Sequence, residues 1–253
     1  MTLLQGQVIL VTGSSRGLGR ALVKEFAGHG AAVIINYRAD RQAAEALRAE
    51  LVDAPVLTVQ ADITSETDVN RMLEAVEERF GRLDALVNNA LPDYRFDPAA
   101  RQSFPEIGWS AFQAQLEGTL GGAYHVTKAA LPLLEASGGG VLNILSNLVT
   151  HPVVAYHDYT AAKAALWGFT RTLAAELGPK GVRVNALAPG LLETTDASSA
   201  TPPEVFELIR QSTPLRRVTT PGAAAAAAVP FVSRLFSAVT GQYLAVDGGL
   251  TMP

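Results

Sequence analysis

Apolar positions along the chain switch between two spacings. Residues 8–11 form a continuous apolar run, the pattern of a strand buried on both faces of a parallel sheet. Leu18, Ala21, Leu22 and Phe26 then recur at helical spacing, until Gly28 and Gly30 end the stripe. Residues 33–35 are a second run. Ala44, Leu47 and Leu51 make a second stripe, and residues 56–59 a third run. Ser65 is placed to cap the next helix, with Asp68 three residues later. Its stripe is Val69, Met72, Leu73, Val76 and Phe80. Residues 83–87, 140–145, 182–187 and 243–246 read as further strands, with long helical segments between them.

Strand and helix alternating without a break predict an α/β fold: one doubly wound, Rossmann-like domain over 1–253, with a parallel sheet of about seven strands. No linker or composition shift divides the chain. Two segments do not fit simple crossovers. Residues 91–108 are a polar, proline-containing insertion, and 191–213 are long enough to fold over a site as a lid. The alanine run 223–228 reads as a helix with a small-residue face, which Pro230 is expected to end or kink.

Composition narrows the function classes. Hydrophobic residues are 48% and charged residues 17%, which suits a compact globule. Twenty basic residues against 24 acidic ones leave a net charge of −4, so nothing draws nucleic acid or an anionic membrane. Cysteine is absent, which removes disulfides, thiol nucleophiles and thiolate metal sites. The four histidines show no ligand spacing, so no metal is expected. Residues 1–6 do not look like a targeting segment. The two long uncharged stretches, 136–157 and 218–233, are broken by glycine, asparagine or proline. A soluble, cytoplasmic protein is expected.

Chemistry enters at the first strand, which runs into Thr12-Gly13-Ser14-Ser15-Arg16-Gly17-Leu18-Gly19. Gly13 can make the tight turn. Gly17 leaves room for a pyrophosphate against the backbone, and Gly19 lets helix and strand pack closely. The helix N-terminus then offers free N–H groups to anionic oxygens. The same residues also match GxSxG, the serine elbow of α/β hydrolases, with His151 or His157 as formal partners for Ser15. Against that reading, the elbow would lie on the first strand and no HGGG motif is present. At the end of the second strand Ile35-Asn36-Tyr37-Arg38 contains no acid, where an acid would bind adenosine ribose hydroxyls and repel a phosphate. Arg16 and Arg38 can grip a 2′-phosphate, or they are two solvated surface arginines.

Tyr159 and Lys163 stand one helical turn apart on one face. A cation there is expected to lower the phenol's pKa toward working pH, so that it exchanges a proton with a substrate oxygen. Tyr124 and Lys128 match the same spacing. Context separates the pairs. Ser146 lies thirteen residues before Tyr159 at the end of a strand, where α/β sheets bind ligands. The same position before Tyr124 is Ala111, with no strand ahead of it. Tyr124 is expected to be a helix-packing residue.

Together these pieces resemble the short-chain dehydrogenase/reductase family, within it the 3-oxoacyl-[acyl-carrier-protein] reductase-like group. The resemblance runs through the glycine loop, Asp62, Asn88-Asn89-Ala90, Ser146, Tyr159-x-x-x-Lys163, the stretch from Ala188 to Thr194, Thr240-Gly241-Gln242 and Val246-Asp247-Gly248-Gly249. It implies an enzyme reducing a carbonyl to an alcohol with NADP(H), on a small-molecule substrate that includes 3-oxoacyl thioesters. Tyr159 would be the general acid, Ser146 would hold the substrate oxygen, and Lys163 would hold the nicotinamide ribose. Asp62 would meet the adenine, with Ile63 beside it in the cofactor set. Asn89 and Ala90 would line the nucleotide groove. Pro189, Gly190, Leu192 and Thr194 would wrap the nicotinamide end, while Gly13, Ser15, Arg16, Gly17, Leu18 and Gly19 cradle the phosphates. Taken singly, Asp62 also reads as a loop cap and Pro189-Gly190 as a turn. The resemblance further implies a homo-oligomer, a tetramer, associating through helices near 109–134 and 159–177 and the last strand. Two departures stand out. Leu91 replaces the glycine that usually follows Asn-Asn-Ala, and Thr119 occupies the place of a relay asparagine, with Gln115 one turn before it. They keep open a non-catalytic NADP-binding sensor or scaffold on the same fold.

Overall fold

The computed structural model describes residues 2–91 and 94–252. Seven strands form one parallel sheet: β1 (Val8–Val11), β2 (Ala32–Tyr37), β3 (Val56–Gln60), β4 (Ala85–Asn88), β5 (Gly140–Ile144), β6 (Arg183–Pro189) and β7 (Tyr243–Val246). Their order is β3-β2-β1-β4-β5-β6-β7, so the winding direction reverses between β1 and β4. A ligand crevice opens at such a reversal, beyond the carboxyl ends of the strands.

Alternation within each strand divides the core into two layers. Ile9, Val11, Val33, Ile35, Ala85 and Val87 pack on one face with Leu22 and Phe26 of α1 (Gly17–Gly28), Leu47 of α2 (Arg41–Glu50), and Ala225, Ala228 and Val229. The last three belong to the helix over the alanine run, here α8, and α1 packs along it. Leu10, Ile34, Leu86 and Val141 face the other way. They meet Val69, Met72 and Val76 of α3 (Glu66–Phe80) and Val126, Ala130 and Leu134 of α5 (Gly122–Ser137). The helix α8 (Pro221–Val232) extends two residues past Pro230. Proline there removes one hydrogen bond in the final turn, and the buried Phe231 and Val232 hold that turn in place.

The Ser65 hydroxyl caps α3 as expected, accepting from the Asp68 amide at 3.3 Å. The Asp68 carboxylate does not reciprocate. It accepts from the Asp62 amide at 3.2 Å and so fixes the loop after β3. The helix α4 (Trp109–Leu116) runs into α5 through one π-helical turn, Glu117–Gly121, which carries Thr119. Residues 94–108 form turns without helix or strand; Pro92 and Asp93 lie outside the described residues. The segment 191–213 carries a bridge from Leu192 to Thr219 and a helix, α7 (Pro203–Ser212). The two irregular segments are bound together. The Phe96 amide donates to the Ala197 carbonyl at 2.8 Å, and the Thr201 hydroxyl to the Phe96 carbonyl at 2.8 Å.

A polar ladder crosses the centre of the molecule. The Asn88 amide donates to Thr127 (3.0 Å) and to the Asn143 carbonyl oxygen (2.8 Å), and the Asn143 amide donates to Thr170 (2.9 Å). These bonds link the adjacent strands β4 and β5 to a helix on the sheet's second face and to the helix that carries Tyr159. Asn143 is fully buried. Its replacement, Asn143→Ala, would take one hydrogen bond from each of two buried partners and leave a cavity, and the expected loss is about 2–4 kcal/mol of unfolding free energy. Urea denaturation measures it; a loss below about 0.5 kcal/mol would refute the ladder's structural role.

Candidate active site

The glycine loop lies at the end of β1. Gly13 has φ +60°, and a Cβ there would lie 2.8 Å from the Ala90 Cα, so both backbone and space demand glycine. Gly17 has φ +55° and a Cβ would project into the loop's open side, with only Thr195 Cβ near it, at 3.9 Å. Helix α1 starts after Arg16 with no acidic residue in its first turn and no side-chain cap. Its N–H groups are thus left for an external acceptor. Ser15 is buried and Leu18 packs on the core. Gly19 abuts the Asn89 side chain.

Asn89 and Ala90 hold this loop from the neighbouring strand end. Both backbone amides donate to the Thr12 hydroxyl at 3.0 Å, and the Asn89 amide group donates to the carbonyls of Thr12 (2.9 Å) and Gly13 (3.1 Å). Asn36, at the end of β2, does more than leave out an acid. Its side chain accepts from the Gly13 amide at 3.0 Å and donates to the Ala61 carbonyl at 3.1 Å, joining the loop to the end of β3. Arg38 is exposed beyond it, and Arg16 pairs with Asp196 at 3.2 Å. The Asp62 carboxylate makes the loop cap: it accepts from the Thr64 amide and hydroxyl at 2.9 and 2.7 Å. Ile63 packs against Gly122 of α5, where a Cβ would collide with it.

Ser146, Tyr159 and Lys163 come together at the end of β5. Ser146 opens a short 3₁₀ turn, Asn147–Val149, and its hydroxyl accepts from the Leu148 amide at 3.2 Å. Helix α6 (His157–Leu177) carries Tyr159 and Lys163, both buried. The Lys163 ammonium donates to the Ile144 carbonyl at 2.7 Å and lies 5.8 Å from the centre of the Tyr159 ring. Burial lowers the Lys163 pKa to about 8. The phenol departs from the expectation of a lowered pKa. Burial raises Tyr159 to about 12, opposed only by hydrogen bonding with Ser146. Removal of water from the phenol outweighs that hydrogen bond, while the ammonium is committed to a carbonyl. The phenol is therefore protonated at neutral pH.

Tyr124 is 44% exposed on α5, with the Lys128 ammonium 5.5 Å from its ring centre; its inner side meets Phe169 of the helix 157–177 at a centroid distance of 6.5 Å, so it packs between helices at the surface. Pro189 ends β6, and the Gly190 amide donates to the Val246 carbonyl at 3.3 Å. Leu192 is buried at its bridge to Thr219. Thr194 has φ +60°, a costly backbone for a β-branched residue. Thr119 and Gln115 are both buried. The Thr119 hydroxyl does not bond back to a carbonyl of its helix; it and the Gln115 side-chain oxygen have no protein partner among the described residues.

Three contributors carried no role in the sequence. Asp247 accepts from the Asn147 side chain at 3.0 Å and from the Thr251 hydroxyl at 2.6 Å, so the chain's end steadies the turn beside Ser146. Tyr94 and Phe96 pack on the Tyr159 ring, with centroids at 5.0 and 5.2 Å. The aromatic alternation Tyr94-x-Phe96 in an otherwise polar insertion was the available signal.

Comparison with known proteins identifies the family. Residues 13–251 match the family described as Enoyl-(Acyl carrier protein) reductase. The chain is 36% identical to a 3-oxoacyl-[acyl-carrier-protein] reductase of Synechocystis, over the whole of both chains. It is 35% identical to 3beta-hydroxysteroid dehydrogenase 1 of Eggerthella lenta, covering 98% of this chain and 95% of that one. A short-chain dehydrogenase from Burkholderia cenocepacia, solved in complex with NADP, superposes with a TM-score of 0.86 at 31% identity, covering 98% of this chain and 99% of that one. These matches set aside the serine-elbow reading of residues 13–17. The chain belongs to the short-chain dehydrogenase/reductase family and is an oxidoreductase acting on carbonyl groups.

Proposed function

We propose that this protein reduces the carbonyl of a small molecule to an alcohol, reversibly, with NADP(H) as its cofactor. The reading rests on the meeting of Ser146, Tyr159 and Lys163 at one strand end, on the same edge of the sheet as the glycine loop. The loop fits a dinucleotide: Gly13 and Gly17 keep its inner side free of side chains, and α1 offers unclaimed N–H groups. The end of β2 presents an amide, already used within the protein, and then Arg38, where a carboxylate would repel a 2′-phosphate. Arg16 and Arg38 supply charge for that phosphate.

Bound NADPH supplies a hydride to the carbonyl carbon. Tyr159 gives its proton to the oxygen as negative charge develops there, and Ser146 donates a hydrogen bond to the same oxygen. Lys163 keeps a positive charge beside the tyrosinate that results. Tyr159 then regains its proton by way of Lys163, and the buried, unpartnered polar atoms of Gln115 and Thr119, on elements packed against α6, are the relay's next candidates. The relatives' names span an acyl thioester and a steroid. A 3-oxoacyl thioester therefore belongs in the first substrate panel, and selection falls to residues other than Ser146, Tyr159 and Lys163.

Purified protein should oxidise NADPH with a panel of ketones, 3-oxoacyl thioesters and quinones, at a kcat/KM at least tenfold above that with NADH. Tyr159→Phe should abolish turnover and leave the Kd for NADPH nearly unchanged, while Tyr124→Phe retains most activity. NADPH binding without turnover of any carbonyl would favour a sensor. Equal use of NADH would refute the phosphate assignment.

The pH profile follows from the two buried groups. Tyr159 stays protonated to about pH 12, whereas Lys163 loses its charge near pH 8. Reductive kcat/KM should therefore fall as pH rises through about 8, and Lys163→Met should lower the rate and remove that limb. Stability should not fall with it. A folded pKa depressed below the ordinary 10.5 means that the cost of burying the ammonium is present below about pH 8 and is relieved between about 8 and 10.5. A profile flat to pH 9.5 would overturn this assignment.

We also propose a homo-oligomer, a tetramer, formed through α4, α5, α6 and β7. Trp109 (66% exposed), Tyr124 and Leu244 place apolar surface there. Light scattering at micromolar concentration should give four times the monomer mass; a monomer would refute it.

A further inference from the structure

The insertion at 94–108 puts an aromatic enclosure directly on the proton donor. Tyr94 stacks on Tyr159 with centroids 5.0 Å apart and planes 24° from parallel. Phe96 meets Tyr159 edge-on at 5.2 Å, and both rings meet Tyr156 edge-on, at 6.0 and 5.5 Å. The enclosure is held in place from outside. The Tyr94 hydroxyl donates to Asp158 at 3.3 Å, and the Phe96 backbone is bonded to Ala197 and Thr201 of the lid segment. A cleft of about 220 Å³ opens beside it, lined by Tyr94, Tyr156 and Asp158 together with Arg95, Asp97 and Arg101.

None of this is needed for proton donation, which requires the phenol, Ser146 and Lys163. It governs what can lie next to the phenol. A carbonyl that hydrogen-bonds Tyr159 and Ser146 must carry the rest of its molecule past Tyr94, Phe96 and Tyr156. Three rings in stacked and edge-on array present flat faces and polarised edges, which favour another flat ring over a flexible chain. A flexible chain also loses more rotational freedom on confinement than a rigid ring system.

We propose that Tyr94 and Phe96 are the substrate-selecting residues of this site, and that they direct it to flat, ring-bearing ketones, aromatic or fused-ring, over straight-chain 3-oxoacyl thioesters. This rests on the reductase reading above. The 191–213 segment takes part through its bonds to Phe96, which hold the aromatic wall in place.

The test compares NADPH-dependent reduction of β-tetralone and of acetoacetyl-N-acetylcysteamine by wild type, Tyr94→Leu, Phe96→Leu and Tyr94→Phe. Wild type should prefer the tetralone in kcat/KM. The leucine variants should shift the ratio about tenfold toward the thioester, mainly through KM, the scale of one aromatic contact. Tyr94→Phe keeps the ring and should keep the preference. Calorimetric binding of β-tetralone to the NADP⁺-loaded protein reads the wall without turnover, and Tyr94→Leu should weaken it about tenfold. Circular dichroism and the Kd for NADPH identify any variant that fails to fold. Equal loss on both substrates, or an unchanged tetralone Kd, would overturn the proposal. Wild type that reduces the thioester better than the tetralone would overturn it and leave the reductase reading intact. Tetralone binding with no turnover of either substrate would support the wall and count against the reductase.

Discussion

One hydrogen bond sets the geometry on which the site depends: the buried Lys163 ammonium donating to the Ile144 carbonyl at 2.7 Å. Ile144 is the last residue of β5, and Ser146 follows two residues later. Tyr159 precedes Lys163 by one turn of α6. A single contact between strand end and helix therefore aligns all three groups. Burying the ammonium is costly, as its lowered pKa records, and the carbonyl offsets part of that cost. The charge is kept where the phenol's conjugate base will need it. The site thus uses stability for placement, a common bargain where buried charge serves chemistry.

Asparagine amides extend the same alignment outward. Asn36 and Asn89 each join the glycine loop to a neighbouring strand end, while Asn88 and Asn143 bind adjacent strands to two helices. Asn147 anchors the Ser146 turn to Asp247 near the chain's end. An amide both donates and accepts, so it can bridge two unlike backbone or side-chain groups without a net charge. Charged residues in these places would shift the potential of a groove read here as holding phosphates at one end and a hydride donor at the other.

The irregular segments form one structure over Tyr159. The insertion supplies rings to the face of Tyr159, and the lid segment holds the insertion by two hydrogen bonds. The lid also reaches the glycine loop, through Arg16 and Asp196 and through Thr195 near Gly17. A contact chain therefore connects the glycine loop and Tyr159 through the parts of the molecule with least regular structure. That arrangement suits a site that must admit a substrate and then exclude water.

The sequence by itself determined the sheet, because apolar runs and helical stripes are local patterns that burial on both faces of a parallel sheet enforces. Seven strands appeared close to their expected positions, and the glycine loop, Ser146, Tyr159 and Lys163 were legible as spacings. Tertiary structure decided what depends on distance through space. It decided that Tyr124 lies at the surface while Tyr159 is buried, although both have a lysine four residues on. It raised the phenol's pKa where spacing alone predicted a fall, since desolvation comes from neighbours that spacing does not reveal. It brought Tyr94 and Phe96 onto Tyr159 across more than sixty residues of chain, and Asp247 to Asn147 across 100. Such contacts follow from how the elements pack, and no periodicity in the sequence encodes them.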